Sequence, residues 1–94
     1  MATEQNIGPI LETFQRTEIT EHHIYKRLAQ VIKSPENAKI LDQIADDELR
    51  HYHGWKKYSG RDVKPDWFKM WFYYLISRVL GFTFGIKLME RGEE

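Results

Sequence analysis

Carboxylate and imidazole side chains recur at helical spacing in two stretches of this chain. Glu18 and Glu21 stand three residues apart in the first stretch, and Glu48 and His51 stand three residues apart in the second. Residues three apart lie on one face of a helix, so each pair presents its ligand atoms together. Oxygen and imidazole ligands without sulfur suit iron, manganese or zinc. The residue types therefore indicate a candidate metal site.

Both pairs interrupt apolar seams that otherwise recur in steps of three and four residues. Such a seam is typical of a helix packed along its length in a bundle. A carboxylate on a packed face needs a partner, because taking its charge out of water costs several kcal/mol. We therefore interpret the interruptions as a polar pocket within an all-helical bundle. The first seam contains Ile7, Leu11, Phe14, Glu18, Glu21, Tyr25, Leu28 and Ile32, and the second contains Asn37, Leu41, Ile44, Glu48, His51, Trp55 and Tyr58.

The spacing of the two pairs around a predicted turn brings them to one level. Ser34 is a suitable N-cap and the next residue is proline, so a tight turn there makes the two helices antiparallel neighbours. Glu18 and Glu21 lie 16 and 13 residues before Ser34, roughly 24 and 20 Å along the helix. Glu48 and His51 lie 14 and 17 residues after it, roughly 21 and 26 Å away. We therefore expect all four side chains at the same height.

The remainder of the sequence predicts a third helix. Gly60 ends the second helix, because glycine readily adopts the left-handed conformation of a helix C-terminus. A short polar connection follows, and Pro65 starts the next helix. Apolar side chains again recur in steps of three and four, which predicts another packed face. This third seam contains Phe68, Phe72, Leu75, Val79, Phe82 and Ile86.

The third seam continues to two carboxylates, Glu90 and Glu93. A helix running straight back from the connection would carry Glu93 about 42 Å along its axis, beyond the candidate site. A crossover over residues 66–80 with a new helix near Gly81 would instead return both carboxylates to the level of the site. Glycine at this position makes such a break possible.

Length and composition describe one small domain of 94 residues. The 14 basic and 14 acidic side chains balance, so the net charge gives no electrostatic case for binding nucleic acid or an anionic membrane. The absence of cysteine excludes disulfides, thiolate metal sites and cysteine nucleophiles. The N-terminal sequence lacks the basic start and apolar block of a secretory signal, so we expect a cytoplasmic protein.

Residues 67–89 form the most apolar part of the sequence. Lys69, Arg78 and Lys87 interrupt it, so no run approaches the roughly 20 uncharged residues that a membrane span needs. We therefore interpret it as a strongly apolar helix or pair of helices. Because its aromatic content is more than a small monomer readily buries, a segment that contacts lipid or a partner is the alternative. The aromatic residues at its start are Trp67, Phe68, Trp71, Phe72, Tyr73 and Tyr74.

The stretches TEITEHHIY (17–25) and DELRH (47–51) resemble the first two helices of a rubrerythrin-type, ferritin-like di-iron protein. In that family the first ligand carboxylate stands seven residues before a tyrosine, as Glu18 stands before Tyr25. The second helix supplies a bridging carboxylate and a histidine three residues on, as Glu48 and His51 do. The pattern is similar to the ferritin-like domains found ahead of vacuolar-iron-transporter-type membrane domains, and also to the encapsulated ferritins.

This resemblance implies one ferritin-like domain over residues 1–94, with a helical hairpin, a third helix and no fourth family helix. Homodimerisation, or a higher even oligomer, would then complete the four-helix bundle and its di-iron centre. The implied metal ligands are Glu18, Glu48 and His51 from each chain. The third helix of the family carries a Glu-x-x-Glu that Glu90 and Glu93 resemble, which makes these two further candidate ligands. The implied activity is oxidation of Fe(II) by dioxygen or peroxide for iron storage or detoxification. An encapsulating shell or a membrane iron-transporter domain is the partner that the resemblance suggests.

Several alternatives remain open at the level of sequence. Glu21 is either a ligand or the partner of Arg16 or Lys26. Manganese or zinc could replace iron, since the ligand types do not separate these metals. The chain could also be a non-catalytic helical assembly module, or a membrane-associated domain that handles iron. We expect His22, His23 and His53 on the surface, and Tyr25, Tyr52 and Trp55 packed beside the candidate site.

Overall fold

The computed structural model describes the backbone of residues 4–92 and the side chains of residues 7–92. Within that range the chain forms helices and no strand, which confirms the all-α prediction. The predicted third helix is divided into two, so the described chain has four helices. Their bounds are α1 (Glu4–Val31), α2 (Pro35–Ser59), α3 (Trp67–Leu80) and α4 (Phe82–Gly92).

Helices α1 and α2 form the predicted antiparallel hairpin, with its ends capped as the sequence indicates. The Ser34 hydroxyl accepts a hydrogen bond of 3.2 Å from the Asn37 N–H, and Pro35 occupies the first turn of α2. Gly60 ends α2 with a φ of 70°, and its N–H donates to the Lys56 carbonyl over 2.8 Å. These local bonds satisfy backbone groups that a helix terminus leaves unpaired. They therefore fix where the hairpin turns.

Helix α3 packs beside α1 and runs in the same direction. Its N-cap is Asp66, one residue after the proline predicted to begin the helix, and the Asp66 N–H donates to Thr20 Oγ1 over 2.9 Å. One turn further along, the rings of His23 and Trp67 lie 4.9 Å apart. Later residues of α3 thus contact later residues of α1, as expected for two helices that run in the same direction. The chain enters α3 near the middle of α1 and continues toward the Ser34 turn.

Helix α4 doubles back from a sharp break at Gly81. This residue has a φ of 105° and a ψ of 148°, a conformation that side-chain-bearing residues rarely adopt. The two helices then approach closely where Gly85 meets Ser77: a Cβ on Gly85 would lie 2.7 Å from the Ser77 Cα. The break at Gly81 is the crossover geometry that the sequence left open. It sends α4 back along the bundle.

The core lies in the half of the hairpin nearest the Ser34 turn, where α3 and α4 pack on it. At the other end α1 and α2 extend without a covering helix among the described residues, and Ile7 and Phe14 are 46% and 44% exposed. The described chain is accordingly elongated, at 48 × 21 × 19 Å. The buried cluster consists of Ile24, Tyr25, Leu28, Ala29, Leu41, Ala45, Met70 and Met89.

The prediction that the α3 part of the third seam packs inward is wrong. Phe68 and Val79 are 84% and 77% exposed, whereas Met70 and Ser77 are buried. Two contacts orient the helix this way: the bond at its N-cap to α1, and the close crossing of Ser77 with α4. The α4 part of the same seam, Phe82 and Ile86, does pack against the core as predicted.

Candidate metal centre

Glu18, Glu48 and His51 come together on the open side of the hairpin. One ligand atom from each lies within 4.8 Å of the other two. The His51 Nδ1 atom is 3.5 Å from Glu18 Oε2 and 3.8 Å from Glu48 Oε1. The common height predicted from the helical rise therefore brings these three side chains into one cluster across α1 and α2.

The three side chains differ in exposure: the two carboxylates are largely buried, and the imidazole lies nearer the surface. Glu18 and Glu48 are 21% and 17% exposed, whereas His51 is 56% exposed. The Oε2 atom of Glu18 is buried and accepts no hydrogen bond from the described residues. A buried carboxylate oxygen normally has a donor or a cation beside it, because desolvation otherwise disfavours its charge. This oxygen therefore fits a metal ligand.

The donor set itself also suits a metal ion. Two carboxylates and one imidazole provide hard oxygen and borderline nitrogen ligands, a combination that binds iron, manganese and zinc. Three ligands leave coordination positions for water, an oxidant or ligands from another chain. A closed structural site would use all of these positions for protein atoms, as structural zinc sites do. Among the described residues the cluster therefore resembles an open site, with three candidate protein ligands.

A surface groove of about 510 Å³ leads to the cluster. Trp55 forms part of its wall and packs against Phe14, with ring centroids 5.2 Å apart. Arg50, also on the wall, forms an ion pair with Asp47. The candidate ligands Glu18 and His51 thus line an accessible groove instead of lying in a closed core. The complete lining is Glu18, Arg50, His51, Gly54, Trp55 and Tyr58.

The three other predicted carboxylates lie outside this cluster or outside the described residues. Glu21 is buried, at 9% exposure, but is not one of the three clustered residues. Its role as a ligand stays a prediction. Lys26, one of the partners considered for it, forms ion pairs with Asp42 and Asp46.

The end of α4 does return toward the cluster. Gly92 and Glu18 line a common cavity of about 380 Å³, to which Lys69 of α3 also contributes. Glu90 is exposed on α4, and Glu93 lies outside the described residues. The crossover thus brings the end of α4 to the level of Glu18, and ligation by Glu90 or Glu93 stays a prediction.

The histidines beside the cluster have structural contacts that the sequence did not indicate. The prediction of surface positions is wrong for His22 and His23, which are half-buried, and is confirmed for His53. His22 Nδ1 donates a 2.7 Å hydrogen bond to the Ala45 carbonyl of α2. Burial lowers the pKa of His23, and the nearby His22 and Arg27 lower that pKa further.

The predicted packing role of the aromatic residues is seen most clearly at Tyr52. Its buried hydroxyl donates to Asp62 Oδ1 over 3.0 Å and accepts a 2.8 Å hydrogen bond from the Val63 N–H. The ring therefore anchors the connection between α2 and α3. A sequence signal for this anchor was absent, because its partners are backbone and side-chain atoms of an irregular segment.

The fold and the cluster together define an all-α chain with a candidate carboxylate–histidine metal site. No protein-family model, curated protein or solved structure matches the chain. The resemblance to rubrerythrin-type proteins therefore rests on the residues quoted for it. Among the described residues, no helix is both long and apolar enough to cross a membrane.

Proposed function

We propose that two copies of this chain share a di-iron site and oxidise Fe(II) with dioxygen or peroxide. One observation carries the proposal: Glu18, Glu48 and His51 bring their ligand atoms within 4.8 Å of one another beside an accessible groove. The three residue types match half of the ligand set of di-metal carboxylate bundles, in which two helices give one Glu each and two give Glu-x-x-His.

A second copy supplies the missing half by symmetry. A two-fold axis at the groove places the same three ligands opposite themselves, which makes four carboxylates and two imidazoles. The groove is suited to such a contact because two exposed aromatic side chains lie on it or beside it. Tyr58, 79% exposed, lines the groove, and Phe14, 44% exposed, packs on the wall residue Trp55. Burying these side chains between chains is favourable by roughly 25 cal/mol per Å² of apolar area.

The proposed reaction uses Fe(II) as its substrate. Each Fe(II) ion gives up one electron, and two such electrons with two protons convert dioxygen to hydrogen peroxide, or hydrogen peroxide to two water molecules. The Glu18 and Glu48 carboxylates hold the cations on the buried side, and His51 holds them on the groove side. The open coordination positions admit the oxidant. Carboxylate oxygens suit the harder Fe(III) product as well as Fe(II).

A non-catalytic assembly module is the second candidate. The distances of His51 Nδ1 to the Glu18 and Glu48 oxygens also suit an ion pair when the imidazole is protonated. In that function the three residues bind one another, and the groove serves only for assembly. Chelators would then leave the assembly unchanged, and Fe(II) would not be oxidised faster than in buffer.

The deciding experiment measures metal content, oxidation and mass on the same preparation. Apo-protein is titrated anaerobically with Fe(II), and separately with Mn(II) and Zn(II), and the bound metal per chain is compared with the mass in solution. We expect about one iron per chain in a dimer or larger even assembly, followed by an oxygen-dependent absorbance rise.

Glu48→Gln, which keeps the size of the side chain and removes its charge, abolishes the shared site in this account. Glu36→Gln is the matched control, because Glu36 is an exposed carboxylate in the first turn of the same helix. If Glu48→Gln retained the metal stoichiometry of the control, the ligand assignment would be wrong. Metal binding without accelerated Fe(II) oxidation would contradict the catalytic part alone.

A further inference from the structure

The outward side of α3 is an apolar face without a covering element among the described residues. Phe68, Phe72, Leu75 and Val79 follow one another in steps of four, three and four, so they form a single stripe. Their exposed fractions are 84%, 48%, 55% and 77%. Trp71, 43% exposed, borders the same stripe. We call these five residues the outer face of α3.

Rotation of α3 cannot bury this face without breaking the packing on its opposite side. Met70 is fully buried in the core, and Ser77 is 1% exposed against Gly85 of α4. The N-terminal end of α3 is fixed independently by the bond from the Asp66 N–H to Thr20. Contacts at both ends of α3 therefore keep this face turned toward solvent. Soluble chains rarely expose a contiguous apolar patch of this kind, so the face marks an interaction site.

The charges around the outer face indicate which kind of partner could cover it. No acidic residue stands between Trp67 and Met89, and the guanidinium of Arg27 in α1 lies 4.5 Å from the centroid of the Trp71 ring, at the edge of the face. Arg78 is exposed and its Nη1 lies 3.2 Å from the Tyr74 hydroxyl, at the edge of the face. Two copies paired through this face would bring like charges together, which disfavours association. An anionic lipid surface offers the opposite charge.

The dimensions of the helix agree with a position on a bilayer and not across it. Its 14 residues span about 21 Å, shorter than the hydrocarbon core of about 30 Å. Helices with an apolar aromatic face and basic residues beside it lie in the plane of the interface. Trp67 and Trp71 suit the headgroup level, where tryptophan is enriched.

We propose that the outer face of α3 docks on the surface of an anionic lipid bilayer. The apolar side chains enter the boundary between headgroups and acyl chains, and Arg27 and Arg78 at the edge of the face bind lipid phosphates. The groove beside the candidate metal site has no lining residue from α3 or α4, so docking leaves that groove accessible. The proposal stands on α3 and holds whether or not the metal site is catalytic.

Co-sedimentation of the full chain with vesicles tests the proposal. One set of vesicles contains equal parts of phosphatidylglycerol and phosphatidylcholine, and the other contains phosphatidylcholine alone. We expect binding to the anionic set that weakens as sodium chloride is added, and much weaker binding to the zwitterionic set. No binding to the anionic vesicles, or equal binding to both sets, would overturn the proposal.

Two variants with the same starting exposure identify the binding face. Leu75→Asp places a charge in the centre of the outer face, and Ile40→Asp makes the same kind of change on α2; both residues are 55% exposed. We expect Leu75→Asp to lower the partition coefficient at least about tenfold, given the apolar burial it removes. Ile40→Asp should leave it within about twofold.

Two further measurements keep the result interpretable. Phe68→Ser, at the most exposed position of the outer face, should also weaken binding, and circular dichroism checks that both variants remain helical. Arg78→Gln should weaken binding about fivefold, from about 1 kcal/mol per basic residue near an anionic surface. If Leu75→Asp instead dissociated an oligomer of the lipid-free protein while vesicle binding was unchanged, a second copy would be the occupant and the proposal would be wrong.

Discussion

The cluster on the α1–α2 hairpin and the outer face of α3 both depart from the rule that apolar side chains are buried and charged ones exposed. The cluster places charged side chains on a packed face, and the outer face exposes apolar ones. At Glu18 and Glu48 the hairpin directs carboxylates to positions where its seam is otherwise apolar. On α3 the side chains of Phe68 and Val79 face away from the core. Each arrangement is unfavourable for an isolated chain, since desolvated charge and exposed apolar surface both raise its free energy.

The difference between the two regions lies in the kind of partner that relieves the cost. In our proposals a cation would relieve it at the cluster, where the Glu18 Oε2 atom is buried without a hydrogen bond from the described residues. An apolar environment would relieve it at the outer face. One region therefore predicts a small, charged ligand and the other an extended, apolar surface. The following variants test this contrast, from the largest expected effect to the smallest.

Replacing the imidazole of the cluster has the largest expected effect. His51→Ala should lower metal affinity more than about hundredfold, because even residues that only support a ligand are worth 10–100-fold. His53→Ala is the matched control, since His53 is exposed two residues along the same helix and outside the cluster. Calorimetric titration measures both. Equal losses in the two variants would show that His51 is not a ligand.

A substitution at the crossing of α3 and α4 should lower the stability of the fold most. Gly85→Ala places a Cβ 1.9 Å from Ser77 Oγ and 2.7 Å from the Ser77 Cα, so the helices must separate. We expect the free energy of unfolding to fall by about 3 kcal/mol. Gly54→Ala, where nothing lies within 4 Å, should instead stabilise α2 by about 0.5–1 kcal/mol. Urea denaturation compares the variants, and equal effects would contradict the close crossing.

The connection that orients α3 depends on the hydroxyl of Tyr52. Tyr52→Phe leaves the Val63 N–H without its 2.8 Å acceptor in a buried position, which should cost about 2 kcal/mol of unfolding free energy. Tyr58→Phe is the control, because Tyr58 is 79% exposed. If the two substitutions proved equally mild in thermal denaturation, the Tyr52 hydroxyl would not be the anchor of this segment.

The smallest effect concerns the pH dependence of stability. The folded pKa of His23 lies below the ordinary histidine value of 6.5, chiefly because the ring is partly buried beside Trp67. The unfolded chain therefore binds this proton more tightly than the folded chain does. The contribution of His23 to the free energy of unfolding is complete above pH 6.5, and it declines as pH falls through the lowered pKa. Denaturation of the metal-free protein between neutral and mildly acidic pH should show this slope. His23→Gln should reduce the slope and His53→Gln should not, and an unchanged slope in His23→Gln would contradict the assignment.

The parts of the fold that follow from local chemistry were predictable. The Ser34 cap and the Gly60 terminus depend on residues within a few positions of each other, and both are confirmed. The common height of Glu18, Glu48 and His51 along the hairpin was also predictable, because a helix has a fixed rise per residue and the sequence located the turn at Ser34. The interior position of Glu21 was expected from its seam, whereas its chemical role is not fixed by that position.

The orientation of α3 could not be predicted from its own sequence. A stripe such as the one from Phe68 to Val79 tells which side of a helix is apolar, and it does not tell which side meets the core. That choice depends on the contact of Asp66 with Thr20, 46 residues apart in the chain, and on the crossing at Gly85. Neither contact leaves a periodic signal in the sequence.

Anaerobic loading of the apo-protein with Fe(II), with metal content and mass in solution determined together, tests the central claim most directly. The account predicts about one iron per chain in an even assembly, loss of that iron in Glu48→Gln, and its retention in Glu36→Gln. A chain that remains monomeric, or one that binds no iron, would contradict the shared metal site and leave the clustered carboxylates and histidine as an ion-paired contact.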